Sequence, residues 1–288
     1  MRRVFEAAPT RPTLGIVDPA AAHRGFTLMR LPPAADLADL VEWHWVITWD
    51  LAPGVAFTQV VVPHPCGNVV AEADVFAAHA MPPGLFERTL AGTGGVVGTK
   101  LRPGALRILA GLPDAGRPGL ILPAARFLGP TAEPASRVAV TEAVAGRAES
   151  AVGHLTPLLR AAAERNRTSA AAATLGRVTE AFAVLRSLGP GEPVAALAAA
   201  LGVTPRSLQR LFADWVGVGP KWVLQRNRVH LAAELLARDP GRDQAGLAAE
   251  VGYYDQAHFC TDFARATGAT PAAYARRCAA SLEALAPA

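Results

Sequence analysis

The stretch VAALAAALGVTPRSLQRLFADWVGVGPKWV, Val194–Val223, is answered later in the chain by QAGLAAEVGYYDQAHFCTDFARATGATPAAY, Gln244–Tyr274. Leu197 and Gly202 recur as Leu247 and Gly252 at an offset of 50. Leu208, Phe212, Gly217 and Pro220 recur as Phe259, Phe263, Gly268 and Pro271 at an offset of 51, so the second copy holds one additional residue in its turn. An internal repeat with matched punctuation implies two copies of one supersecondary unit.

Each copy has the local chemistry of a helix, a tight turn and a second helix. An Ala-rich first helix allows close approach of a neighbour, and the glycine that follows suits the left-handed residue at a helix end. Thr204 with Pro205, and Asp255 in the second copy, are suited to start the second helix as N-caps. Leu208, Leu211 and Phe212 make one apolar stripe, as do Phe259 and Phe263, leaving the opposite face polar. In the first copy that face offers Arg206, Ser207, Gln209 and Arg210, and in the second Gln256, Thr261 and Arg265. Arg and Gln pair bidentately with guanine and adenine edges. Tandem helix-turn-helix units binding double-stranded DNA are therefore expected.

Between the copies, Pro220 to about Arg238 reads as one helix, opened by Gly219-Pro220 and closed by Asp239-Pro240-Gly241. Nineteen residues at ~1.5 Å rise span roughly 28 Å, near the ~34 Å between successive major-groove faces on one side of B-DNA. Arg206, Arg210, Lys221, Arg226 and Arg228 stand in this region against the single acid Asp214, a local cluster suited to phosphate. Net charge says little. The chain carries +4 overall, and from Leu175 onward 12 Arg and Lys face 10 Asp and Glu, leaving +2.

The segment resembles the DNA-binding domain of AraC/XylS-type regulators. GYYDQAHFCTDFARATGATPAAY is similar to that family's second-unit motif, with Gly252-Tyr253, Phe259, Phe263, Gly268, Pro271 and Tyr274 at its spacing. GVGPKWVLQRNR is similar to the start of its linker helix. The resemblance covers about 105 residues and implies seven helices and promoter binding with activation or repression. DNA-contacting roles then fall on Thr204, Arg206, Ser207, Gln209, Arg210, Lys221, Arg226, Gln256, Thr261 and Arg265. Thr261 departs from the family pattern, which places an Arg there, so the first unit is expected to carry more of the reading.

Upstream the texture differs. Val41, Trp43, Trp45, Ile47 and Trp49 alternate with Glu42, His44, Val46, Thr48 and Asp50, a period of two that predicts a strand burying the first set. Thr58–Val62, Asn68–Ala71, Leu85–Leu90 and Gly95–Leu101 read as further strands between Pro and Gly clusters, in a small barrel or sandwich. Val138–Glu164 reads as helix, broken near Gly153 and Pro157, and 166–173 as a linker or helix start. The expected fold class is α+β, a β-rich N-terminal domain followed by an all-α tandem helix-turn-helix domain. The expected division is 1–134 for sensing or dimerisation, 135–174 as a helical linker, 175–280 for DNA binding and 281–288 as a tail. Residues 1–25 read as a loose arm.

Other function classes lack their signatures. Cys66, Cys260 and Cys278 are few and scattered, which fits a reducing compartment rather than a disulfide framework. The start Met1-Arg2-Arg3 is not followed by an apolar core, and no apolar run approaches the ~20 residues that cross a bilayer. A cytoplasmic protein without membrane association is expected. No GxSxG, HExxH or Gly-rich phosphate motif supports catalysis, so no enzyme activity and no cofactor are expected. His44, His64, Cys66 and His79 invite a metal site, but only His64 and Cys66 are close, and a structural role is expected.

The N-terminal segments LADLVEWHWVITWDL, VVPHPCGNVV and VVGTKLRPGALRIL resemble the β-rich effector domain of one branch of these regulators. That resemblance does not imply a ligand; a small-molecule effector, RNA polymerase and a second copy of the chain are candidate partners. Two alternatives stand beside it. One is a DNA-repair methyltransferase using Cys66; the other is a ligand-independent DNA-binding protein whose first domain only dimerises. The three tryptophans either line an apolar pocket or fill the core, and filling the core is the expected role.

Overall fold

A computed structural model describes residues 16, 22, 25–82 and 84–283. Most of the expected N-terminal arm, and positions 284–288 of the expected tail, lie outside the described residues.

Eight strands form the first half: β1 (Thr27–Leu31), β2 (Val41–Asp50), β3 (Ala56–Val61), β4 (Asn68–Ala71), β5 (Phe76–His79), β6 (Phe86–Ala91), β7 (Thr93–Leu101) and β8 (Ile121–Pro123). Six of them make an antiparallel sheet in the order β1-β2-β7-β4-β5-β8, and β3 with β6 forms a separate two-stranded ribbon. Helices α1 (Ala105–Ala110), α2 (Ala125–Leu128), α3 (Ala132–Val144) and α4 (Ala148–Asn166) follow.

The strand Val41–Asp50 has its expected limits but not the expected single buried face. The pairing shifts between Val41 and Trp43, and His44 and Val46 are buried while the tryptophans are half-buried. Both faces are covered. Against Val46, Val69, Val97 and Leu101 packs the main core, which includes Ala139 and Ala143 of α3 and Leu155 and Leu159 of α4. On the other face Trp45, Ile47 and Trp49 join Phe26, Leu28, Phe57 and Leu90 in a second cluster. The Trp45 and Trp49 rings lie across Gly98 and Gly94 of β7, where any Cβ would overlap them. These two tryptophans fill a core, the role expected of them.

Residues 135–174 are not a simple connector. Helices α3 and α4 close one side of the sheet, and Leu175 at the start of the next segment belongs to the same core. The helix break also lies elsewhere: Gly146, at φ 78°, separates α3 from α4, while Gly153 and Pro157 are exposed inside α4. An exposed proline can be accommodated there because its face of the helix meets no neighbour, even though its missing N–H costs a backbone bond.

Seven helices complete the described chain: α5 (Ser169–Ser187), α6 (Val194–Ala200), α7 (Pro205–Trp215), α8 (Pro220–Arg238), α9 (Gln244–Glu250), α10 (Gln256–Thr267) and α11 (Pro271–Glu283). They divide between two small cores. Val178, Phe182, Leu197, Leu208, Phe212 and Val223 make the first. Val229, Leu236, Leu247, Phe259, Phe263 and Tyr274 make the second. Helix α8 enters both, and its 19 residues match the expected limits.

Candidate nucleic-acid interface

The two helix-turn-helix units are built alike at the level of single hydrogen bonds. Gly202 and Gly252 are left-handed, at φ 63° and 82°. The following residue closes the turn in each, Val203 N–H to Ala198 O at 3.0 Å and Tyr253 N–H to Ala248 O at 2.9 Å. The second helix is then capped: Thr204 Oγ1 accepts from Ser207 N–H at 3.1 Å, and Asp255 Oδ1 from His258 N–H at 2.7 Å. Each cap satisfies a backbone donor that no carbonyl can reach. Helices α7 and α10 therefore start at defined points, with Leu208, Phe212, Phe259 and Phe263 buried beneath them.

The relative placement of the units is also fixed. Arg228 of α8 donates from Nε to Pro190 O at 2.6 Å, before α6, and its guanidinium sits 5.6 Å from the Tyr253 ring of the second unit. A Cβ on Gly252 would overlap the backbone of Gly191, so the turn of the second unit touches the loop that leads into α6.

The ten residues expected to contact DNA fall into two groups. Arg206, Gln209 and Arg210 of α7, Lys221 of α8 and Gln256 of α10 are exposed, and none makes a hydrogen bond or ion pair through its side chain among the described residues. The other five are engaged within the fold. Thr204 and Ser207 form the cap, with their hydroxyls 3.0 Å apart. Thr261 donates to Ala257 O at 2.9 Å. Arg226 lies over the Trp222 ring at 4.7 Å and donates to Ala266 O at 3.4 Å, and burial lowers its pKa. Arg265 pairs with Asp262, a buried carboxylate that also accepts from Tyr253 Oη at 3.3 Å and lies 3.3 Å from His258 Nε2.

Arg226 is also engaged within the fold. Its guanidinium bridges α8 to the end of α10, which a count of charges along the chain could not reveal. Asp262 was the missed residue; its spacing of three from Arg265 on a helix was the available signal. The result is an uneven pair. The α7 face presents two arginines with no acid between them, whereas the α10 face has its arginine neutralised.

The first domain touches both units. Arg107 of α1 donates to Asp214 O at 2.6 Å and lies 5.0 Å from the Trp215 ring. A Cβ on Gly217 would overlap the carbonyl of Gly116. At the other unit, Val60 and Val62 at the end of β3 and Leu85 before β6 join the core around Phe259 and Tyr274. His64 stacks on His230 of α8 with ring centroids 4.1 Å apart. Among the described residues no three or more His, Cys, Asp or Glu side chains converge as metal ligands. His44 instead bonds Thr99 Oγ1 at 2.9 Å inside the first core. Cys66 is buried, and that burial pushes its thiol up to about 11. No helix among the described residues is long and apolar enough to cross a membrane.

Residues 197–277 match the family described as Helix-turn-helix domain, and residues 29–115 match Domain of unknown function (DUF6597). No curated protein matches. Among solved structures, the chain is similar to the C-terminal domain of AraT, a response regulator from Geobacillus stearothermophilus, at 28% identity and TM-score 0.33 over 35% of this chain and 84% of that one. It is similar to an AraC-type transcriptional regulator from Chromobacterium violaceum at 22% identity and TM-score 0.35, over 38% and 96%. Unsaturated fatty acid bound ToxT from Vibrio cholerae is similar at 9% identity and TM-score 0.39, over 87% and 95%.

Proposed function

We propose that this chain, which carries a C-terminal helix-turn-helix domain of AraC type, is a sequence-specific transcription regulator that reads adjacent major grooves with α7 and α10. The observation that carries this reading is the pair of capped helices joined by continuous α8, with Arg206, Gln209 and Arg210 exposed and unengaged on the first. Unpaired Arg and Gln near a helix start can reach base edges, and flanking cations such as Lys221 can hold phosphate.

Control would come from the first domain. Because that domain touches both units, a small molecule that changes its packing would shift the population of arrangements in which α7 and α10 fit successive grooves. A methyl-accepting role for Cys66 is disfavoured, since a buried thiol with a raised pKa is a poor nucleophile.

Selection of duplexes from a random library by the full chain, followed by salt-controlled binding, tests the DNA reading. Enrichment of one sequence, with Arg206→Ala and Arg210→Ala each weakening it, is expected. Failure to enrich any sequence would contradict it. A thermal-shift screen of small molecules addresses the effector: stabilisation by one compound class supports a sensor, and uniform silence supports a ligand-independent binder.

A further inference from the structure

The one-residue difference between the two repeats has a definite address. Gly202 and Gly252 are equivalent, as are Val203 and Tyr253, which close the turns through matching hydrogen bonds. Thr204 and Asp255 are equivalent as caps. The additional residue is therefore Tyr254, which lies between turn closure and cap in the second unit only.

Tyr253 beside it is buried, edge-on to His258 and tilted against Phe259. Tyr254 is 103% exposed, the full area of a free side chain, so its ring packs on nothing. An aromatic residue left wholly in water contributes no packing to the fold, and aromatic rings with a polar tip are favoured where partners meet. Its place, immediately before the cap of α10, is the place from which a recognition helix enters a groove, at the phosphates along the groove's edge. The α10 face lacks a free arginine, because Arg265 is paired with Asp262. Among the described residues, exposed Gln256 is the one expected DNA contact left unengaged on that face.

We propose that Tyr254 is a DNA-positioning residue, its hydroxyl donating to a backbone phosphate at the edge of the groove entered by α10 and its ring packing on the adjacent deoxyribose. Tyrosine is among the side chains that contact phosphate, and such contacts set register without reading bases. The inserted residue thus supplies the second unit with an anchor that the first unit draws from cations. This inference rests on the DNA-binding reading above.

The test uses the full-length chain, the duplex it selects from a random library and an unrelated duplex of equal length. Tyr254→Phe removes the hydroxyl alone, and Tyr254→Ala removes ring and hydroxyl; neither should alter the melting temperature. Tyr254→Phe should weaken binding to both duplexes by about ten- to a hundredfold, the range for one lost hydrogen bond to a charged group. Their affinity ratio should hold, and so should the dependence on salt, since no cation is lost. Wild-type affinity in Tyr254→Phe overturns the hydroxyl contact whatever Tyr254→Ala does, and a changed affinity ratio overturns the assignment to phosphate. Arg210→Ala in the same series separates the two readings. If it weakens binding while Tyr254→Phe does not, only this inference fails; if the wild-type chain selects no duplex, both fail.

Discussion

The imidazole of His64, in the loop after β3, lies parallel to that of His230 in the middle of α8, with centroids 4.1 Å apart and planes 7° from each other. His230 Nε2 is 3.3 Å from Pro63 O, so the first domain grips the helix that joins the DNA-binding units. Burial brings the His230 pKa down to about 4, and the charges of Arg226 on its own helix and Lys100 on β7 act in the same direction.

A pH dependence follows. An unfolded histidine titrates near ~6.5, so between there and about 4 the unfolded chain binds a proton that folded His230 refuses. The stabilisation is complete above the unfolded value and is lost as pH falls through that window. His44, also brought down to about 4 by burial, adds to the effect. Each group can contribute up to roughly 3 kcal/mol. Melting temperatures from pH 7.5 to 4.5 should fall in the wild type and fall less steeply in His230→Phe; identical slopes would contradict the assignment.

Gly217 is left-handed at φ 84° and abuts Gly116 of the first domain. Gly202, at φ 63°, has open space where a Cβ would stand. Both alanine variants incur left-handed strain of about 1–2 kcal/mol, but Gly217→Ala adds an overlap worth roughly 1–3 kcal/mol more. Urea titration should show Gly217→Ala as clearly the less stable. Equal losses would mean that the domains do not meet at this point in solution.

Asp262 pairs with Arg265, whose side chain remains largely exposed. Replacing it as Asp262→Asn should free the guanidinium and raise affinity for DNA at low salt, steepening the slope of log affinity against log salt by about one. An unchanged slope would place Arg265 away from the phosphates. A melting curve should also record a loss of stability, because Tyr253 and His258 lose a charged partner.

The features legible in the sequence are those with local causes. Thr204, Asp255 and the flanking Pro220 and Pro240 act on their immediate neighbours, so caps and helix limits could be placed. The long strand Val41–Asp50 was visible through its alternation, yet not its burial, because both faces are covered by elements far away in sequence. Strands β1, β5 and β8 escaped notice; four residues such as Phe76–His79 contain no period to read. Gly146 and Gly153 look alike as letters, and only packing decides which one breaks the helix. Arg226 looks free until α10 folds back to place Ala266 O within 3.4 Å.

In the proposed function two unequal readers share α8, with α7 the stronger. Affinity of the full chain for its selected duplex, measured across a salt series for Arg210→Ala and Thr261→Ala, tests this most directly. Arg210→Ala should lose about 1–3 kcal/mol of binding, with relaxed preference at one position or a salt slope reduced by about one. Thr261, already bonded to Ala257 O, should lose little. Equal losses in the two variants, or a larger one for Thr261→Ala, would contradict the account.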